Sequence, residues 1–264
     1  MRTKRLLWIS ISVLLLIGSI YTVDLLIRYY SFVDEIVTPQ LNKNSEGDSL
    51  NVLIIGDSWA SYHSQYDQYL KSCLEMKVNK PTIVISKGIV GAKTKTIYTK
   101  MNEYSPSGTK ELIDLSPDYA IISAGINDAV AKMGTANYCH HYQLIIKKLL
   151  SADIKPIIIE MPPVDYRAVY QRESLIAQLR HRFSSWLTNA PLWDSEEYRL
   201  ALLSLIKPNK KNRVLYIPAS EWNPDGYMDS RMLYKDDHVH LNRKGYSLLD
   251  SCITSHIYND IIQE

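Results

Sequence analysis

Five short runs along the chain are apolar through most of their length and rich in β-branched residues: 52–55, 82–86, 118–124, 155–160 and 213–217. Strands that are apolar throughout, and not merely on alternate positions, are those buried on both faces of a sheet. Between the runs the spacing of apolar residues changes to that of helices. Residues 60–76 place Tyr66, Tyr69, Leu70, Cys73 and Leu74 in this way, and 142–150 and 196–206 repeat the pattern. The stretch 174–187 puts Ile176, Leu179, Phe183 and Trp186 on one face, and 245–262 closes the chain as a last helix. Strands alternating with helices predict an α/β domain with a five-stranded parallel sheet covered on both sides. There is no internal repeat.

The N-terminus has a different pattern. Arg2, Lys4 and Arg5 precede 18 uncharged residues, 6–23, and the apolar character continues past Asp24 to Ile27. A run of this length can span a bilayer, whereas a cleaved signal has a shorter apolar core and a small-x-small cleavage site. Gly18-Ser19-Ile20 matches such a site poorly, so residues 1–28 read as an uncleaved anchor, with a secreted form as the alternative. A cationic end held inside places all that follows Arg28 outside the cytoplasmic membrane, periplasmic or extracellular. Residues 29–50 turn polar and end Asn42-Lys43-Asn44-Ser45-Glu46-Gly47-Asp48-Ser49, a composition suited to a tether. The globular domain is expected over 51–264.

Composition narrows the function classes. A net charge of +2 gives no electrostatic case for nucleic acid. Cys73, Cys139 and Cys252 are scattered, and no Cys/His group has metal-ligand spacing, so neither metal nor cofactor is expected. The basic run 207–213 reads as a solvated loop. Nineteen tyrosines against two phenylalanines could line a sugar-binding groove, although compositional drift accounts for them more simply.

Four strand or loop ends carry polar residues of the kinds that chemistry needs. The first strand stops at Gly56-Asp57-Ser58, and a serine there lies beside the unpaired N–H groups of the following helix. Taken alone, Gly-Asp-Ser is equally well a turn with a helix cap. The second strand runs into Gly88-Ile89-Val90-Gly91, whose glycines permit close approach to a ligand. The third ends at Ala124-Gly125-Ile126-Asn127-Asp128, where Asn127 can aim its amide at an oxyanion or cap a turn. Near the C-terminus comes Asp236-Asp237-His238-Val239-His240-Leu241-Asn242, in which a carboxylate and an imidazole three apart can meet in a turn.

In content, order and spacing these blocks together resemble the GDSL/SGNH hydrolase family, from about residue 51 to 246. The resemblance implies a three-layer α/β/α sandwich of flavodoxin-like type. It implies Ser58 as nucleophile, His240 as general base and Asp237 as its orienting carboxylate. The oxyanion hole would comprise the N–H groups of Ser58 and Gly91 with the Asn127 side chain. Gly88 competes with Gly91, Asp236 with Asp237 and His238 with His240. The Gly-x-x-Gly ending, the Asp-x-x-His spacing and the following Leu-Asn select the second of each pair. Where the family commonly has Asp-Gly-x-His, this chain has Asp-His-Val-His, so the loop is expected to differ in shape.

These roles imply a serine esterase, membrane-anchored, that removes acetyl or another short acyl group from envelope or extracellular carbohydrate. Alternatives are a lipid esterase, lysophospholipase or thioesterase, a polysaccharide O-acyltransferase using the same serine, and a non-catalytic envelope-binding module.

Overall fold

The computed structural model describes residues 2–36, 49–162, 166–192, 195–209, 214–223 and 232–263. The chain divides into two units, Met1–Val33 and Asp34–Glu264. The first contains one helix, α1 (Arg2–Leu25), followed by a π-helical turn over Leu26–Tyr30. Its stretch Lys4–Asp24 is long and apolar enough to cross a membrane, with none of it buried inside the protein. Most of the expected tether, residues 37–48, lies outside the described residues. Residues 35 and 36, just before it, belong to the second unit and are held within it: Glu35 pairs with Lys147 at 2.9 Å and Ile36 N–H donates to Tyr98 Oη at 2.7 Å.

The second unit is built on five parallel strands, β1 (Leu50–Gly56), β2 (Thr82–Gly88), β3 (Tyr119–Ser123), β4 (Lys155–Ile159) and β5 (Leu215–Ile217). Their order is β2-β1-β3-β4-β5. This is the flavodoxin-like order of a doubly wound sheet. Every residue of β3 and β4 is buried, as is all of β1 except Asn51, as strands covered on both faces require. β2 forms an edge, and its Ile83 and Ile85 are exposed. The start of the fifth predicted strand, Arg213, lies outside the described residues.

Helices flank the sheet in two groups. One holds α2 (Ser58–His63), α3 (Asp67–Val78) and the C-terminal helix α12 (Arg243–Ile261), which pack on one another and on β1, β2 and β5. The other holds α4 (Thr94–Lys100), α7 (Thr135–Ser151) and α10 (Glu196–Asn209), beside β1 and β4. Shorter helices α5 (Lys110–Asp114), α6 (Ile126–Val130), α8 (Tyr166–Gln171) and α11 (Ala219–Trp222), with α9 (Leu175–Thr188), complete the set.

Three expectations change in detail. The single helix predicted over 60–76 is two, because the chain turns after His63, whose carbonyl accepts from Tyr66 N–H at 2.6 Å. The basic run at 207 is not all loop: Lys207, Pro208 and Asn209 form the last turn of α10. Tyr198, Leu202 and Ile206, four apart and buried, hold that helix to the core through its end. The third concerns α9, whose residues Leu175, Ile176, Leu179 and Trp186 are exposed and cover no core.

Candidate active site

The strand order reverses beside β1, since β2 lies on one side of it and β3 on the other. Loops leaving β1 and β3 at their carboxyl ends therefore diverge and leave a crevice, where ligands bind in sheets of this kind. Ser58 follows β1 and Asn127 follows β3. The helix cap read from Gly-Asp-Ser is present, and it is the aspartate that forms it. Asp57 is the N-cap of α2, accepting from Trp59 N–H at 2.9 Å through Oδ1. That leaves Ser58 at the first helical position, where an N–H has no partner within the helix.

The third component comes from a turn before α12. Tyr234 and Leu241 form an antiparallel bridge, and Lys235 N–H donates to His240 O at 2.7 Å. Leu241 is fully buried, and Asn242 caps α12 by accepting from the N–H groups of Lys244 and Gly245. The Leu-Asn pair thus anchors the turn to the core and to a helix start. Inside it, Asp237 Oδ1 accepts from the N–H groups of Val239 and His240, each at 2.9 Å. Its other oxygen lies 2.6 Å from His240 Nδ1, and His240 Nε2 lies 2.8 Å from Ser58 Oγ. Burial pushes the Asp237 carboxyl up, but its bonds with His240 and Val239 outweigh this and hold it below the usual range.

Sequence reasoning singled out these three residues but missed what holds them. Trp59 Nε1 donates to Val239 O at 3.1 Å, and Tyr246 Oη donates to Trp59 O at 3.0 Å, so α2 is joined both to the turn and to α12. Tyr62 presents its ring edge-on to His240 with centroids 4.7 Å apart, while Lys235 Nζ sits 4.5 Å over that ring. Aromatics at 59 and 62 were the available signal. The competitor His238 takes φ +60°, the left-handed conformation that glycine adopts without strain. The turn therefore keeps a glycine-like backbone despite the histidine.

The two glycines separate by environment. Gly88 ends β2 against α2, and a Cβ there would meet Asp57 O and Ser61 N at 2.2 Å. Gly91 has φ +75° in a turn closed by Ala92 N–H to Ile89 O at 3.0 Å, and a Cβ on it would meet nothing within 4 Å. Gly88 is thus required by packing, whereas Gly91 faces open space.

Asn127 has both of its donors engaged, to Ala92 O at 3.0 Å and Asp57 Oδ2 at 3.3 Å. Beyond it, Asp128 accepts from Thr94 N–H at 3.0 Å and Thr94 Oγ1–H at 2.7 Å. Burial raises both carboxyls, Asp57 to about 7 and Asp128 to about 6, and Asp128 adds to the rise at Asp57. Among the described residues, no group of His, Cys, Asp and Glu could hold a metal ion.

A serine hydroxyl on an imidazole that is itself held by a carboxylate can be deprotonated as it attacks a carbonyl carbon. The family model described as GDSL-like lipase/acylhydrolase matches residues 47–248. The chain belongs to this family. Its enzymes hydrolyse esters, and this chain is an ester-hydrolysing enzyme with the family's α/β fold.

Solved structures with this fold include a GDSL-like lipase from Bacteroides thetaiotaomicron, 17% identical over 80% of this chain and 88% of that one, with a TM-score of 0.54. An acetylxylan esterase from Geobacillus stearothermophilus is 15% identical over 79% and 94%, with a TM-score of 0.56. An esterase from Pseudoalteromonas sp. is 14% identical over 80% and 98%, with a TM-score of 0.55. No curated protein sequence matches the chain.

Proposed function

We propose that this acylhydrolase works through an acyl-serine at Ser58. The observation that carries the reading is the 2.8 Å approach of His240 Nε2 to Ser58 Oγ, with Asp237 on the opposite ring nitrogen. Ser58 Oγ attacks the acyl carbon and passes its proton to His240 Nε2. The ester C–O bond then breaks, and His240 returns the proton to the departing alkoxide. Water repeats the sequence on the acyl-serine and releases the acid. Asp237 fixes the imidazole tautomer and stabilises the imidazolium. The N–H groups of Ser58 and Gly91 and the amide of Asn127 receive the oxyanion, Asn127 exchanging its 3.3 Å bond to Asp57 for it.

The substrate class in this reading is a short acyl group, acetyl first, on carbohydrate near the membrane surface. Two observations support it. The N-terminal helix can hold the enzyme at a membrane, and Tyr62 with Lys235 beside His240 gives an aromatic and cationic rim suited to a sugar. The test compares kcat/KM on an O-acetylated xylo-oligosaccharide, p-nitrophenyl acetate and a long-chain p-nitrophenyl ester. Preference for the long chain would replace this reading with a lipid esterase. A fluorophosphonate should label wild type and not Ser58→Ala, and labelling that persists would show the nucleophile to be elsewhere.

A further inference from the structure

Helix α9 is built the reverse way to a core helix. Leu175, Ile176, Leu179 and Trp186 are 71%, 81%, 57% and 76% exposed. At 3.6 residues per turn they lie with Phe183 on a single arc of about 100°. The opposite side is small and polar, yet that side is the one packed inward. His181 and Ser184 are buried, and Thr188 Oγ1–H donates to Lys132 O at 2.9 Å.

The borders of the arc decide what covers it. At the same pitch, Arg180 and Arg182 fall just outside its two edges, and both are exposed. From 166 to 188 the chain carries four arginines against a single glutamate. A second copy packed on this face would bring arginines against arginines. A surface of lipid phosphates over acyl chains satisfies both parts at once, because an interfacial helix pairs aromatic and aliphatic residues with cationic flanks.

We propose that α9 lies in the headgroup region of an anionic bilayer, with its Leu/Ile/Trp arc among the acyl chains. This fixes the active site at the membrane surface, since the same segment reaches the site. Arg172, on the turn between α8 and α9, donates to Asp236 O at 3.1 Å, next to Asp237, and Arg180 lies within electrostatic reach of Lys93, two residues from Gly91. The proposal draws on the reading of the N-terminal helix as an anchor only in placing a bilayer within reach, so the two are tested separately.

The experiment reconstitutes the full chain in vesicles of equimolar phosphatidylglycerol and phosphatidylcholine with brominated acyl chains. Tryptophan quenching is compared in wild type, Trp186→Phe, Trp8→Phe and Ile176→Glu. A quenched component that disappears in Trp186→Phe, and falls by at least half in Ile176→Glu while p-nitrophenyl acetate hydrolysis is unchanged, establishes the contact. In pure phosphatidylcholine that component should shrink at least threefold. Quenching that is the same in Trp186→Phe as in wild type overturns the proposal, even where Trp8→Phe shows the anchor inserted. Quenching that is the same in Trp8→Phe as in wild type removes the anchor reading and leaves the α9 contact standing. A dimer that cross-links in wild type and not in Ile176→Glu, with Trp186 unquenched, shows the face to bind a second copy and overturns the proposal as well.

Discussion

The side-chain amide of Asn127 donates to Asp57 Oδ2 at 3.3 Å, while the other oxygen of the same carboxyl holds Trp59 N–H at 2.9 Å. One buried carboxyl thereby ties the helix starts after β1 and β3 together. Burial and the neighbouring Asp128 raise Asp57 to about 7, and burial raises Asp128 to about 6. A carboxyl raised in the folded state adds stability below its unfolded value near 3.8, and that stability is lost as pH rises through the folded value. Urea midpoints should therefore fall between pH 4 and about 7, and Asp57→Asn should flatten the upper part of that slope. An unchanged slope in the variant would show that Asp57 is not the group titrating.

Asn127→Ala removes one proposed oxyanion donor without touching Ser58 or His240. Loss of such a donor costs on the order of 100- to 1,000-fold in kcat. KM should move little, because the donor is used in the transition state. Steady-state kinetics on p-nitrophenyl acetate give both constants, and a loss confined to KM would remove Asn127 from the oxyanion hole.

The turn before α12 separates two histidines and two aspartates. His240→Ala should cost several orders of magnitude in kcat/KM, and Asp237→Asn should be severe, since His240 is the proposed base of Ser58 and Asp237 holds its ring. Asp236→Asn and His238→Ala should be mild. His238→Gly should keep full activity and not lower stability, because φ +60° is relaxed for glycine and costs about 1–2 kcal/mol for other residues. A crippled His238→Gly would assign that imidazole a part in the chemistry.

Gly88→Ala and Gly91→Ala should fail in different ways. The first forces a methyl against Asp57 O and Ser61 N, so the protein should unfold at markedly lower temperature and lose activity with it. The second meets no atom and strains only a φ of +75°, about 1–2 kcal/mol. Circular dichroism melts together with p-nitrophenyl acetate rates distinguish the two, and a Gly88→Ala as stable as wild type would contradict the close packing of β2 on α2.

His63 marks a second polar cluster, behind the site. Its Nε2 lies 2.7 Å from Asp250, and its Nδ1 lies 3.1 Å from Asp67 and 3.0 Å from Ser86 Oγ. Burial would lower this histidine, but its bonds to Asp250 and Asp67 prevail and raise it to about 9. A histidine so raised stabilises fully below its unfolded value of 6.5, and the contribution fades as pH climbs through about 9. His63→Leu leaves Asp250 buried without its cation, a loss of roughly 3–5 kcal/mol. Unfolding curves at pH 6 and pH 9.5 check both points. The gap between wild type and variant should be wide at the first and narrow at the second.

The sequence by itself determined the parallel sheet, its strands and the four polar blocks to which the proposed chemistry is assigned. Strands buried on both faces must be apolar throughout, and strand ends must turn, so both features are written locally. The Asp-x-x-His spacing likewise placed Asp237 and His240 in one turn. Only the tertiary structure decided what depends on distant segments meeting. The 2.8 Å contact of Ser58 with His240 spans 182 residues, and the joining of Trp59 to Val239 spans 180. The choice of Gly91 over Gly88 as the open position rests on which of them packs against α2. The cluster at His63 brings Asp250 to it across 187 residues. Helix α9 gives the sharpest case: its period showed an apolar face, but a period cannot say which way that face points. Its inward side is set by Lys132, which meets Thr188, and by Glu173 and Tyr170, which meet His181, so the apolar arc was left to the outside.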